Sequence, residues 1–339
     1  MVSISVEKPH HLLLQEDRLA APGPGEVLVA VHRAGICGSD MHILHGTNPF
    51  ARYPRILGHE MSGTVAAVGA DVTGLEPGDR VVIDPVVACG QCYPCRAGRP
   101  NVCAKLEVFG VHRDGGFRDS LVVPAANALK ISSELDFGLA ALAEPLSVAA
   151  NVLSRTGCSD QDVVLIYGAG TVGVTVLQVA KLFGARCIVA DPDAARLQRA
   201  TAFGADLVLQ SGHDDIPAAV SGELDGLGPS VVIDGAGVPA LLGEACRVAA
   251  PAGRIGLLGF SPEPTPVVQQ EIVRKELAIV GSRLNRRLLP QVIEWLEQGK
   301  LQPAAMITQT FAAADARAAF DLVEQHPEQT VKVQLSFRH

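Results

Sequence analysis

Three groups of residues in this 339-residue sequence have types and spacings that can do chemistry. Cys89, Cys92, Cys95 and Cys103 fall within CGQCYPCRAGRPNVC, two C-x2-C steps followed by a fourth cysteine eight positions on. Four thiolates so spaced can surround one tetrahedral ion, and zinc is the usual occupant of a closed all-sulfur site. Two disulfides or a redox C-x-x-C are weaker readings: no signal-like apolar segment precedes the run, and a thioredoxin-type motif carries two cysteines rather than four. A second group is Cys37 in AGICGSDMH with His59 and Glu60 in ILGHEMSG. Singly, such a cysteine is usually packing and such a histidine a satisfied core residue. Together, a thiolate, an imidazole and a carboxylate suit a catalytic zinc, because a fourth position can stay open.

The third group is a glycine loop. In VVLIYGAGTVGVTVLQVAKLFGA, Gly168, Gly170 and Gly173 form G-x-G-x-x-G directly after a buried strand and at the opening of a helix, with Thr171 and Val172 inside the turn. The first glycine allows the tight turn, the second lets a pyrophosphate approach the backbone, and the third brings helix and strand close. The phosphate charge then meets the helix N-terminus. Asp191 closes the next strand, CIVAD, about twenty residues on, where a ribose-binding acid belongs. A carboxylate there accepts from the ribose hydroxyls and repels a 2′-phosphate, so NAD is expected rather than NADP. Arg196, just beyond, is either a 2′-phosphate cradle or a solvated helix charge.

The elements that must position these groups divide the chain in two, as its length suggests. The first 140 or so residues are turn-rich with short β-branched runs at 26–32, 62–68, 80–83 and 120–123, an irregular β-domain. From about Asp162, strands alternate with helices: VVLIY, a helix through Phe183, CIVA, a helix over 193–203, then strands at 230–234, 254–258 and 278–280. That alternation implies a parallel, doubly wound sheet. A helix over 288–298 and a closing strand, VKVQLSF, are expected to rejoin the first domain. The boundary near Ala150 reads as a helix, not a flexible tether.

Composition narrows the function classes. A net charge of -8 without a basic run argues against nucleic acid and against an anionic membrane surface. Hydrophobic residues make up 48%, yet no uninterrupted apolar stretch is long enough to span a bilayer. The four cysteines outside the cluster are scattered, which suits a reducing cytoplasm.

With GICGSD, GHE, the cysteine lobe, GAGTVG and VGSRLN in place, the chain resembles the zinc-dependent medium-chain dehydrogenase/reductase family over essentially its full length, on the sorbitol and threonine dehydrogenase side. The resemblance implies an α/β fold: a GroES-like β-rich catalytic domain (1–150, carrying the structural zinc lobe and joined by 286–339) and a Rossmann dinucleotide-binding domain (151–285), with the active site in the cleft between them. It implies two zinc ions per subunit, one catalytic and one structural, and a homodimer or homotetramer. Cys37, His59 and Glu60 match the catalytic zinc segment, and Glu144 in AEPLSV falls where this branch places a further acidic zinc neighbour. Horse-liver-type alcohol dehydrogenases have cysteine there, so whether Glu60, Glu144 or both bind is left open. In the family, zinc acts as a Lewis acid on a secondary alcohol whose hydride passes to the nicotinamide. Ser39 resembles the hydroxyl relay residue and His42 the histidine that passes the proton towards solvent; the bland alternatives are a turn residue and a surface histidine. Asp40 either supports the metal ligands or caps a turn.

GTNPFARYPRILGHE, FGVHRDGGF and GFSPEP carry a nearer likeness, to a starvation-sensing and L-galactonate dehydrogenase-like group of sugar-acid oxidoreductases. This implies oxidation of a secondary hydroxyl of an aldonate such as L-gulonate or L-galactonate. Arg283 would supply a planar bidentate partner for the substrate carboxylate, with Asn285 as polar neighbour; a cofactor phosphate contact or a subunit boundary is the alternative. His112 and Phe109 border the substrate cleft by resemblance, or form a packed turn. L-Threonine and polyols such as sorbitol or galactitol are the other substrates considered, and a zinc- and dinucleotide-binding regulatory protein without turnover is the reading from a different class.

Overall fold

The structure is a computed structural model that describes residues 2–16 and 21–338. It divides into two compact units, Met1–Glu144 with Asn285–His339, and Pro145–Leu284. In the first unit the organising element is the strand Glu26–Gly35, whose EVLVAVHRAG is buried along most of its length. A strand buried on both faces reads as a continuous apolar run, and this one has partners on both sides. It pairs antiparallel with Glu60–Val68, with Ser120–Pro124 and with the closing strand Lys332–Ser336, which continues parallel to Ile307–Ala312. Arg80–Ile83 and Ala128–Lys130 extend the sheet to seven strands among the described residues. The C-terminal strand is thus an interior member of the N-terminal sheet.

Two details of this sheet position the chemistry. Gly35 stands opposite Glu60 in the register, so the end of one central strand faces the metal-binding segment. Beyond Val86–Val87, the chain leaves as a cysteine-bearing loop and returns at Glu107–Val108, and a two-residue antiparallel ladder joins those ends.

The second unit holds six parallel strands among its described residues, in the order Leu207–Gln210, Arg186–Asp191, Val163–Tyr167, Val231–Asp234, Arg254–Leu257, Ala278–Gly281. In sequence terms this is 3-2-1-4-5-6, the doubly wound arrangement that binds ligands at the carboxyl ends of its strands. Its core joins Leu165, Ile188, Val232 and Ile255 from the sheet to Val220 and Ala245 from covering helices. At the opposite ends of the strands, buried Asp162 accepts from Ser159 N–H (2.8 Å) and Ser230 Oγ (2.7 Å) and pairs with Arg254, whose guanidinium also donates to Thr156 and Gly157 carbonyls (both 3.0 Å).

One helix bears on the expectation that no uninterrupted apolar stretch is long enough to span a bilayer. A helical run of 20 residues, Phe137–Thr156, has a mean hydropathy of 1.4 and meets the length and apolarity of a membrane span. Its most apolar window is 78% buried within the protein, as for a core helix. The carboxylate of Glu144 and the following Pro145 interrupt the run when it is read as sequence alone.

Candidate active site

Cys37, His59 and Glu60 come together: the sulfur, a ring nitrogen and a carboxylate oxygen all lie within 4.8 Å of one another. Local structure explains how residues more than twenty positions apart meet. Cys37 is the extended N-cap of the helix Gly38–Leu44, and Asp40 Oδ2 accepts its backbone N–H at 2.9 Å. Asp40 Oδ1 accepts from Gly58 N–H at 3.3 Å and lies 3.6 Å from His59 Nδ1. Fully buried Asp40 therefore both caps the turn and ties the cysteine segment to the histidine segment.

Burial alone would depress His59, but the carboxylate of Asp40, followed by Cys37 and Glu144, carries its pKa well above the ordinary imidazole value. Across the ring, Ser39 Oγ is 3.3 Å from Nε2. Glu60 is 1% exposed; Lys332 Nζ donates to its Oε1 at 2.7 Å, whereas its Oε2 is buried with no hydrogen-bond partner. A Cβ at Gly35 would fall on that oxygen, so the glycine leaves the space it occupies. A soft thiolate, an imidazole beside a buried carboxylate and an unsatisfied carboxylate oxygen fit a zinc ion. Glu144 stands outside the 4.8 Å group. It is 3% exposed, and burial, with the like charge of Glu60, pushes its pKa up to about 7 against the pull of His59 and Lys332.

The four cysteines of the loop also converge within 4.8 Å, and all are free of disulfides. Cys92 Sγ is 3.4 Å from Cys95 Sγ and 3.7 Å from Cys103 Sγ. Backbone N–H groups aim at the sulfurs, from Ala104 to Cys92 (3.4 Å) and from Cys89 (3.3 Å) and Lys105 (3.2 Å) to Cys103. The N–H groups of Ala104 and Cys95 draw the Cys92 thiol down to about 6, while burial and neighbouring thiols push Cys95 up to about 12. Four sulfurs crowded on one point with donors around them suit a closed tetrahedral zinc, with no open coordination position.

In the second unit, Gly168 adopts a φ of +97° and its N–H donates to Ala190 O at 2.7 Å. Nothing lies within 4 Å of where a Cβ on Gly170 would stand, whereas a Cβ on Gly173 would fall on the carbonyl oxygen of Gly168. Open backbone at the second glycine and contact at the third are what a pyrophosphate loop requires. Thr171 and Val172 open the helix Thr171–Leu182, and Val172 is exposed. Asp191, 3% exposed at the end of its strand, accepts from Ala169 N–H (2.7 Å) and Asp193 N–H (2.8 Å), which ties the glycine loop to the end of the neighbouring strand. Arg196 is half-buried on the helix Ala194–Ala202, capped by Asp193.

The remaining residues are placed less centrally. His42 is exposed, its Nδ1 2.9 Å from Thr47 Oγ1, one turn along the helix from Ser39. Phe109 is 3% exposed beneath the Arg113 guanidinium, and His112 Nδ1 accepts Val108 N–H at 3.1 Å, so both serve the turn that follows the cysteine loop. Asn285 is buried and committed: its amide donates to Asp84 Oδ1 at 3.1 Å and accepts Arg287 N–H at 3.1 Å. Arg283 is half-buried, its guanidinium 5.9 Å from the centre of the exposed Phe260 ring. One charged neighbour of the cluster is not legible in the sequence: Lys332, in a β-rich run, turns its side chain inward onto Glu60.

Models of known families match both halves of this geometry: the alcohol dehydrogenase GroES-like domain over residues 23–133 and zinc-binding dehydrogenase over residues 171–298. The chain is 45% identical over 339 residues, 99% of each chain, to starvation-sensing protein RspB of Escherichia coli (strain K12). It belongs to the zinc-binding alcohol dehydrogenase family. It also resembles L-threonine 3-dehydrogenase of Pyrococcus abyssi, 36% identical over 334 residues and 95% of each chain, and L-galactonate-5-dehydrogenase of Escherichia coli (strain K12), 31% over 316 residues and 93% of each. The crystal structure of an alcohol dehydrogenase (rspB) from Escherichia coli CFT073 complexed with NADH superposes with a TM-score of 0.95, at 44% identity and 99% coverage of both chains. As a zinc-dependent dehydrogenase of this family, the chain acts on CH–OH groups.

Proposed function

We propose that this protein is an NAD-dependent dehydrogenase that oxidises a secondary hydroxyl of a sugar acid, an aldonate such as L-gulonate or L-galactonate, to a keto acid. The observation that carries the reading is the convergence of Cys37, His59 and Glu60, with one oxygen of Glu60 buried and without a hydrogen-bond partner and Asp40 3.6 Å from one imidazole nitrogen. Zinc held by these three residues would polarise the substrate hydroxyl and lower its pKa. The protein's own groups do the rest. Asp40 orients His59, Ser39 is within reach to accept and pass on the hydroxyl proton, and His42 receives it at the exposed face of the same helix. Asp191 supports NAD over NADP by its charge at the ribose. The four-cysteine loop holds the second, structural zinc.

The sugar-acid assignment rests on the likeness to L-galactonate-5-dehydrogenase and on Arg283, whose guanidinium fork matches a carboxylate. The likeness to L-threonine 3-dehydrogenase favours a second reading, and the two share a substrate form, a carboxylate with a secondary hydroxyl. A panel of aldonates, L-threonine, sorbitol and galactitol, assayed with NAD and NADP for reduced cofactor, separates them. The highest kcat/KM is expected for an aldonate with NAD. A preference for L-threonine or a neutral polyol would replace the substrate, and a preference for NADP would replace the cofactor.

A further inference from the structure

A buried lysine adjoins the metal cluster. Lys332 opens the closing strand Lys332–Ser336 and is 1% exposed; its Nζ donates to Glu60 Oε1 at 2.7 Å and to Ile36 O at 3.0 Å. An ammonium at this depth is costly to desolvate and persists only with a close counter-charge. The strand geometry makes room for the pair: a Cβ on Gly35 would come within 3.2 Å of Lys332 Cδ and would fall on Glu60 Oε2. Glu60 is thereby divided. One oxygen is saturated by the lysine, and the other, buried and without a hydrogen-bond partner, belongs to the cluster with Cys37 and His59.

We propose that Lys332 is a positioning residue for the metal, which withholds one oxygen of Glu60 and limits that carboxylate to single-oxygen ligation. An ammonium and a divalent ion compete for the same carboxylate charge, so the clamp weakens the glutamate as a ligand. The inference rests on the assignment of a metal to Cys37, His59 and Glu60.

The test is metal exchange in the full-length protein loaded with cobalt(II), for Lys332→Met, Lys332→Arg and each of these combined with Glu60→Gln. A Cys37→Ser protein supplies the spectrum to subtract for the four-cysteine site. Lys332→Met releases the second oxygen, so the visible ligand-field bands weaken towards higher coordination and cobalt loss to a chelator slows about tenfold. Lys332→Arg keeps the charge but offers a fork that takes both oxygens, so cobalt loss quickens by about the same factor. Both effects disappear with Glu60→Gln. A purely structural lysine would not give opposite signs.

Wild-type spectra and release rates in both folded variants would overturn the proposal, as would effects that persist undiminished with Glu60→Gln. If Lys332→Met does not fold, Lys332→Arg decides by itself. Absence of any Cys37-dependent sulfur-to-cobalt band in the unmutated protein would instead remove the metal assignment, a failure recognisably different from that of the clamp.

Discussion

Glu60 and Glu144 share a buried environment yet differ in what holds them, and that difference orders the chemistry at residue scale. Glu60 has a lysine at 2.7 Å, while Glu144 is pushed up to about 7 by burial and by its carboxylate neighbour. Cys37 has no such substitute in the cluster, so Cys37→Ala is expected to lower kcat/KM for alcohol oxidation by about three orders of magnitude or more. NAD affinity, followed by quenching of protein fluorescence, should change little, because Cys37 and the glycine loop lie in different units. Near-wild-type turnover would remove the metal-based mechanism. Arg283→Ala tests the substrate instead: kcat/KM for an aldonate should fall about a hundredfold while a neutral polyol is barely affected, and equal losses on both would end its carboxylate role. The clustering of Cys37, His59 and Glu60 was legible from residue types, because a thiolate, an imidazole and a carboxylate in such a set have few joint uses. Lys332 was not, since a lysine in a strand is ordinarily solvated, and only its ion pair with Glu60 reveals the burial.

At the scale of elements, the strands that carry the site were legible where apolar runs are buried on both faces. Arg80–Ile83, Val231–Asp234 and the closing strand follow their β-branched patterns closely. His11–Glu16, Leu207–Gln210 and Ile307–Ala312 were not read, because they are largely exposed or half-buried and lack alternation. What no pattern discloses is how the strands of the second unit are tied at their starts, and there Asp162 is decisive. It gathers Ser159, Ser230 and Arg254 from three separate segments. Burial by itself would raise this carboxyl, but hydrogen bonds from Ser230 and Ser159 and the charge of Arg254 hold it below the usual aspartate range. A depressed folded-state pKa means stability that is present above the unfolded value of about 3.9 and is lost as pH falls through the folded one. Asp162→Asn is therefore expected to cost about 2 kcal/mol at pH 7, read by urea denaturation, with the gap from wild type closing as pH drops below about 4. A gap independent of pH would show that shape rather than charge is what Asp162 contributes.

For the whole molecule, two donor clusters of opposite character in one chain, each read as a metal site, make a prediction that neither makes separately. The four-cysteine group draws four sulfurs together, and a two-residue ladder, Val86–Val87 with Glu107–Val108, joins the ends of the loop around it. The mixed site offers three donors: Cys37 at a helix N-cap, His59 just before a strand and Glu60 at that strand's start. Ion loss should therefore separate into two events. Metal analysis is expected to find about two zinc equivalents per chain. A mild chelator should remove the first with loss of turnover, an unchanged Tm and no new reactive thiols beyond Cys37, because the three-donor site keeps an open position through which a competing ligand can enter. A stronger chelator should remove the second, at which point Cys89, Cys92, Cys95 and Cys103 become reactive together and Tm falls, since the loop loses its main cross-link. Activity should return on adding zinc after the first step, and incompletely after the second if the freed thiols have oxidised. The reverse order, with the four loop thiols exposed while turnover persists, would mean that the cysteine lobe is dispensable to the active chain and that its zinc is the weaker bound of the two.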